Sequence, residues 1–164
     1  MPATYEPIAT NTLGSAVTTL TFSSIPSTYT DLVIIANLGS VSAGNVQIQF
    51  NGDTATNYSA AIMYTTGSAA GAGPYSNLAF AYGLNGAASL PLTISSSGII
   101  NINNYSNTTT WKNTLCRYGN SNQESTCFVG TWRNTAAINS ITLSSYSGAY
   151  LTGSSFTLYG IKAA

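Results

Sequence analysis

"WKNTLCRYGNSNQESTCFVGTW", residues 111–132, decides what kind of protein this is. Two runs in which large residues recur at every second position flank a cluster of Gly, Asn, Ser and Gln, the pattern of two strands joined by a turn. A turn centred in residues 119–124 pairs Tyr118 with Ser125, Cys116 with Cys127 and Trp111 with Trp132. Leu115 then meets Phe128 on the face shared with both tryptophans. Trp111, Leu115, Phe128 and Trp132 are therefore expected in the core, with the cysteines on the opposite face. Cys116 and Cys127 would be in reach of a disulfide at a non-hydrogen-bonded site, and a pair of buried reduced thiols is the alternative.

The same period continues outward in both directions. "AVTTLTF" (16–22), "NVQIQF" (45–50), "YSAAIMYTT" (58–66), the Leu78, Phe80, Tyr82 alternation, "GIININNY" (98–105) and residues 138–143 all read as strands. "DLVIIANL" (31–38) is a continuous apolar run, which predicts a strand covered on both faces. Pro91 confines its segment to an edge or an irregular connection, and "GSAAGAGP" (67–74) reads as a surface loop. At the other end, "SSFTLYGIKAA" (154–164) alternates almost to its last residue, so Phe156 and Leu158 are expected in the core of an internal strand with Ile161 as its last buried residue. No 3.6-residue apolar period survives three turns. The fold expected is all-β, an antiparallel β-sandwich or jelly roll of nine to ten strands. Residues 16–164 would make one sandwich domain, and residues 1–15, with Pro2 and Pro7 and no alternation, an extended arm that orders against a partner.

Composition narrows the function. The 164 residues include four Lys and Arg, four Asp and Glu and no His, so 5% are charged and the formal net charge is zero, against about a quarter charged in ordinary globular chains. Ser, Thr and Asn supply more than a third of the residues, and there are eleven tyrosines. Such a surface does not repel copies of itself. The cations Lys112, Arg117, Arg133 and Lys162 form no basic run, which argues against nucleic acid as a partner. No apolar run reaches the ~20 residues of a membrane span, and the N-terminus lacks the basic-then-apolar order of a secretory signal.

Common catalysis needs a titrating base, and the candidates are Glu6, Asp31, Asp53 and Glu124. Asp31 heads a strand and Asp53 sits in "NGD", where a turn or cap role is commoner than an acid pair. No serine has a histidine to activate it. A zinc site lacks ligands, and "NGDTATN" (51–57) misses the spacing of a calcium loop. Neither an enzyme nor a cofactor is expected. Tyr64, Tyr75, Tyr146 and Tyr150 lie near expected loops and are candidates for contact with a glycan or a protein partner, the alternative being core or interface tyrosines with a wet hydroxyl.

"YEPIATNTLGS", "TFSSIPSTYTDLVI", "FNGDTATNYS", "NYSNTTTWKNTL", "VGTWRNTAAINSITL" and "GSSFTLYGIKAA" together resemble a family of small virion proteins of tailed phages of marine and freshwater bacteria, cyanophages among them. The resemblance spans nearly the whole chain. It implies a virion component with no catalytic residues. Within a virion, the absence of a shaft, coiled coil or repeat favours a capsid decoration or cement protein, a trimer seated where major capsid proteins meet. The alternative is a tail-fibre or receptor-binding head that touches host glycans.

Overall fold

The computed structural model describes residues 4–41, 45–84, 91–121 and 123–162. Twelve strands are present among them: β1 (Tyr5–Thr12), β2 (Thr19–Phe22), β3 (Asp31–Leu38), β4 (Val46–Phe50), β5 (Tyr58–Thr66), β6 (Ala70–Leu78), β7 (Ala81–Leu84), β8 (Ser96–Asn103), β9 (Lys112–Asn120), β10 (Glu124–Trp132), β11 (Ile141–Ser145) and β12 (Ser155–Ile161). They form two sheets, one of eight strands in the order β1-β12-β3-β8-β9-β10-β5-β6 and one of four in the order β2-β11-β4-β7. Every neighbouring pair of strands is antiparallel. The all-β sandwich read from the alternation is present.

The core lies between the sheets and follows from period two. Leu32, Ile34, Ala36 and Leu38 of β3, Ile100 and Ile102 of β8, Phe128 and Trp132 of β10 and Phe156 and Leu158 of β12 face Phe22, Ile48, Phe50, Ile141 and Leu143 of the small sheet. All are buried. Fully burying one such side chain is worth about 1.5–3 kcal/mol. β4 is half exposed as its alternation predicts, with Gln47 and Gln49 outward. β12 is internal, between β1 and β3. Its last buried residue is Gly160 rather than Ile161, which falls on the outer face.

Four further expectations are corrected. The N-terminal segment expected to wait for a partner forms β1 on its own chain, paired along β12 from Tyr5↔Ile161 to Thr12↔Ser155. Glu6 and Lys162 close this pairing with an ion pair at 2.8 Å. The segment 67–74 is not a loop, since β6 starts at Ala70 and pairs with β5. Small residues form this strand, and Tyr64 lays its ring over Gly71, where a Cβ would come within 2.7 Å of it. β1 and β6 raise the strand number above nine to ten. The two edges of the large sheet are thus strands that carry a proline, Pro7 and Pro74. The third correction concerns β3, whose continuous apolar run is not covered on both faces, because Ile35 is exposed.

The fourth is the hairpin register. Cys116 pairs with Phe128, Leu115 with Val129 and Lys112 with Trp132. The connection holds the three residues 121–123 between Asn120 and Glu124, and Gln123 takes a positive φ of 63°. Asn120 Nδ2 donates to Glu124 Oε2 at 2.5 Å and Asn120 Oδ1 accepts from the Glu124 N–H at 3.2 Å, which fixes the loop at an odd length. An odd loop shifts the pairing by one residue and reverses which face each partner shows. Phe128 and Trp132 stay in the core, but Trp111 and Leu115 point to solvent. The two cysteines fall on opposite faces, both as free thiols, Cys116 buried and Cys127 partly exposed.

Candidate functional site

Two surfaces stand out, both on the outer side of the eight-stranded sheet. The first is the middle of that face. Register places Ile35, Ile99, Arg117, Cys127 and Met63 in one row across five strands, and Val33, Asn101, Leu115, Val129 and Ala61 in the next. Ile35, Met63, Leu115 and Val129 are exposed, Val129 to 50%. Arg117 is the sole charged residue in these two rows. A sheet face that meets only water normally carries polar residues. These rows do not.

The second surface is an open cleft of about 750 Å³ at one end of the same face, lined among others by Ser59, Thr110, Trp111, Asn113, Thr131 and Arg133. It is built from the segment "NTTTWK" (107–112) upward. Asn107 Oδ1 accepts the backbone N–H of Thr109 at 2.7 Å and of Thr110 at 2.9 Å, and both threonine hydroxyls as well. That one side chain winds the turn which presents Trp111. Tyr105 anchors the turn from below: it is fully buried, its hydroxyl donates to the Pro26 carbonyl, and its carbonyl accepts from Ile138 N–H at 2.9 Å. Next along the chain, Lys112 points inward and is buried. Its ammonium donates to the carbonyls of Thr110 at 2.7 Å and Thr135 at 3.1 Å, joining the two walls of the cleft. Burial lowers its pKa below the ordinary lysine value.

Trp111 itself is 56% exposed. Asn113, Thr131 and Ser59 stand side by side on β9, β10 and β5. The Thr131 hydroxyl donates to Asn113 Oδ1 at 3.0 Å, which turns the Asn113 NH2 group toward other acceptors. Arg133 Nη2 donates to the Thr56 carbonyl at 2.9 Å and to Asn77 Oδ1 at 3.1 Å. Both acceptors are neutral. Among the described residues no carboxylate lines the cleft, so none of them balances the positive charge of Arg133 there.

The tyrosines singled out in the sequence do not come together on either surface, although Tyr64 lines a cleft with Met63, Arg117 and Cys127 of the first. Tyr150 is fully buried and packs edge-on against Phe156 with ring centroids 5.2 Å apart. Tyr64 and Tyr75 belong to β5 and β6 rather than to loops. Tyr75 packs on Tyr82 at 4.9 Å, while Tyr146 is exposed. Burial first, then the neighbouring phenols of Tyr75 and Tyr146, raise the Tyr82 hydroxyl above its usual pKa. Trp111 was expected in the core, and its role as the wall of a cleft could have been read only from the run of Asn and Thr before it.

Asp31 and Asp53 act as turn and cap groups. Asp31 Oδ1 accepts the Asn104 N–H at 2.6 Å. Asp53 accepts from Ala55 N–H, Asn57 Nδ2 and Trp132 Nε1, and it follows a turn with positive φ at Asn51 and Gly52. That turn carries the chain from the small sheet to the large one instead of closing a hairpin. Among the described residues no group of three or more His, Cys, Asp and Glu could hold a metal ion. A scan against protein-family models and a search of curated proteins each found no match for this chain.

Proposed function

We propose that this chain is a non-enzymatic structural protein of a tailed-phage virion, a decoration protein that binds the outside of the head as a homotrimer and strengthens contacts between major capsid proteins. The observation that carries this reading is the outer face of the large sheet, where Ile35, Met63, Leu115 and Val129 are exposed around Arg117 with no other charge in their rows. An apolar surface of this kind, on a chain of zero formal charge, favours packing against another protein. The folded β1 strand bears on how attachment is made. With residues 5–12 engaged on β12, the sandwich itself supplies the contact.

The finer fold assignment supports the same reading. Setting aside β1, β12 and the β8–β9 hairpin, the remaining strands run β2-β11-β4-β7 in one sheet and β3-β10-β5-β6 in the other. Labelled B to I in chain order, these match the orders B-I-D-G and C-H-E-F expected of a jelly roll, with one hairpin inserted between C and H, which supports that finer reading. Viral capsid proteins and lectins both use that architecture. A second reading, a receptor-binding head on a tail fibre, is favoured by the Trp111 cleft.

Gold-labelled antibody against the protein on intact virions separates the two. Label over the whole head in many copies is the expected result, and label confined to the tail tip would replace the decoration reading with the adhesin one.

A further inference from the structure

We propose that the cleft walled by Trp111 is a binding site for an acidic saccharide, with the sugar ring stacked on the indole and its carboxylate directed to Arg133. This goes beyond the structural role and stands whether the protein sits on the head or on the tail.

The argument starts from the cost of leaving Trp111 where it is. Tryptophan is among the largest apolar side chains, and an isolated exposed one gains nothing for the fold. Here it is held up by a purpose-built turn in which a single side-chain oxygen, Asn107 Oδ1, accepts four hydrogen bonds. The turn is fixed from behind by the buried Lys112 ammonium on the Thr110 and Thr135 carbonyls. The backbone that presents the indole is therefore preorganised, which lowers the ordering cost of binding. Trp132, by contrast, is buried and spends its N–H on Asp53.

The groups around the indole match a sugar. Its flat face suits the C–H face of a pyranose. Beside it the Asn113 amide, oriented by Thr131, and the hydroxyls of Thr131 and Ser59 offer both donors and acceptors at the spacing of adjacent strands, about 4.8 Å. Hydroxyl-bearing ligands need that mixture. A cleft of about 750 Å³ falls within the usual range for small-ligand sites. It has room for a short oligosaccharide and is open enough for a chain to pass through.

Charge selects within that class. Among the described residues Arg133 bonds only to neutral oxygens, the buried Lys112 ammonium adds a second positive charge on the Thr110 and Thr135 carbonyls of the lining, and no carboxylate lines the cleft. A planar guanidinium with donors to spare pairs well with a carboxylate. A uronic-acid unit fits better than a neutral hexose. Nucleic acid could also stack on an indole, but it needs a track of cations along the backbone, and the chain has four Lys and Arg in total.

The test is affinity electrophoresis of the full chain through native gels containing polygalacturonate, dextran or a single-stranded oligonucleotide. Retardation by polygalacturonate is expected, weaker in raised salt, reduced at least tenfold by Trp111→Ala and several-fold by Arg133→Gln. Circular dichroism of Trp111→Ala should match the parent, because the indole is exposed. No retardation by either polysaccharide, or equal retardation of parent and Trp111→Ala, would overturn the site. Stronger retardation by dextran would overturn the acidic preference, and retardation by the oligonucleotide alone would overturn the ligand class. A change in oligomer mass on Trp111→Ala with binding intact would make Trp111 a subunit contact and overturn the proposal. Virion labelling would stand in every case.

Discussion

Trp132 donates its indole N–H to Oδ2 of Asp53 at 2.7 Å, tying the last residue of β10 in the large sheet to the turn that follows β4 in the small one. Around this bond Tyr58 stacks on Trp132 with centroids 6.2 Å apart, and Phe50 lies 5.5 Å from the same ring. The Tyr58 hydroxyl donates to the Asp53 carbonyl and accepts the Phe50 N–H, both at 3.1 Å. Burial pushes its pKa up to about 12. One carboxylate thus holds the junction between the sheets.

Asp53→Ala should lower stability by about 2 kcal/mol, because it strands the buried indole N–H and unties the turn. Burial works against the charge on Asp53, but hydrogen bonds from Asn57, the Ala55 backbone and Trp132 outweigh it and hold the carboxyl below its usual pKa. The stabilisation is therefore complete above the unfolded value, about pH 4, and is lost as pH falls through the lower folded value. Urea midpoints across that window should fall more steeply for the parent than for Asp53→Asn. Parallel slopes would remove Asp53 from the account.

The two thiols should react at very different rates. Cys127 is partly exposed on the outer face, whereas Cys116 faces the core, where burial pushes its pKa up to about 12. A thiol reagent should modify one cysteine per native chain and two after denaturation. A native mass two daltons short of the reduced chain would mean a disulfide and a different register.

Gly160→Ala should destabilise the protein by about 2 kcal/mol. The Tyr29 ring lies directly on Gly160, and an added Cβ would come within 2.3 Å of it. Gly73→Ala, in open space on β6, is the control and should leave the thermal midpoint unchanged or slightly raised. Equal effects at the two sites would mean that Tyr29 yields freely.

Removal of residues 155–164 should abolish soluble folded protein, because β12 pairs with both β1 and β3 and contributes Phe156 and Leu158 to the core. A β-rich circular dichroism spectrum with a cooperative melt from the truncated chain would contradict this.

Val129→Lys should separate assembly from folding. Val129 is half exposed, so the thermal midpoint should stay within about 0.5 kcal/mol equivalent of the parent. Occupancy on virions should drop at least tenfold. Full occupancy would exclude the outer sheet face as the docking surface.

Period two was enough to read an all-β sandwich, the inner faces of β4 and β12 and the burial of Phe128 and Trp132. It could not supply parity across the β9–β10 turn, where two tryptophans and two cysteines at matching distances suggested an even loop. The actual loop depends on side-chain bonds between Asn120 and Glu124. β1 and β6 escaped notice for a different reason. Apart from Tyr5 and Ile8 in β1 and Tyr75 and Leu78 in β6, their residues are small, polar or proline and show no sustained alternation, and edge strands need only one neighbour's hydrogen bonds to persist. The even register also hid the Trp111 cleft, since a one-residue shift moves Trp111 from core to solvent and only the Asn and Thr run before it hinted at an exposed turn.

The prolines of the two outermost strands have a consequence for how copies can add up. A neutral surface offers no charge repulsion to stop one sheet from zipping onto the next, and that route leads to open-ended fibrils. Pro7 on β1 and Pro74 on β6 each remove an N–H from the rim, so lateral growth of the large sheet is blocked at both ends. Apart from the short β2 and β7 rims of the small sheet, what remains open is stacking through faces, which ends once those faces are covered.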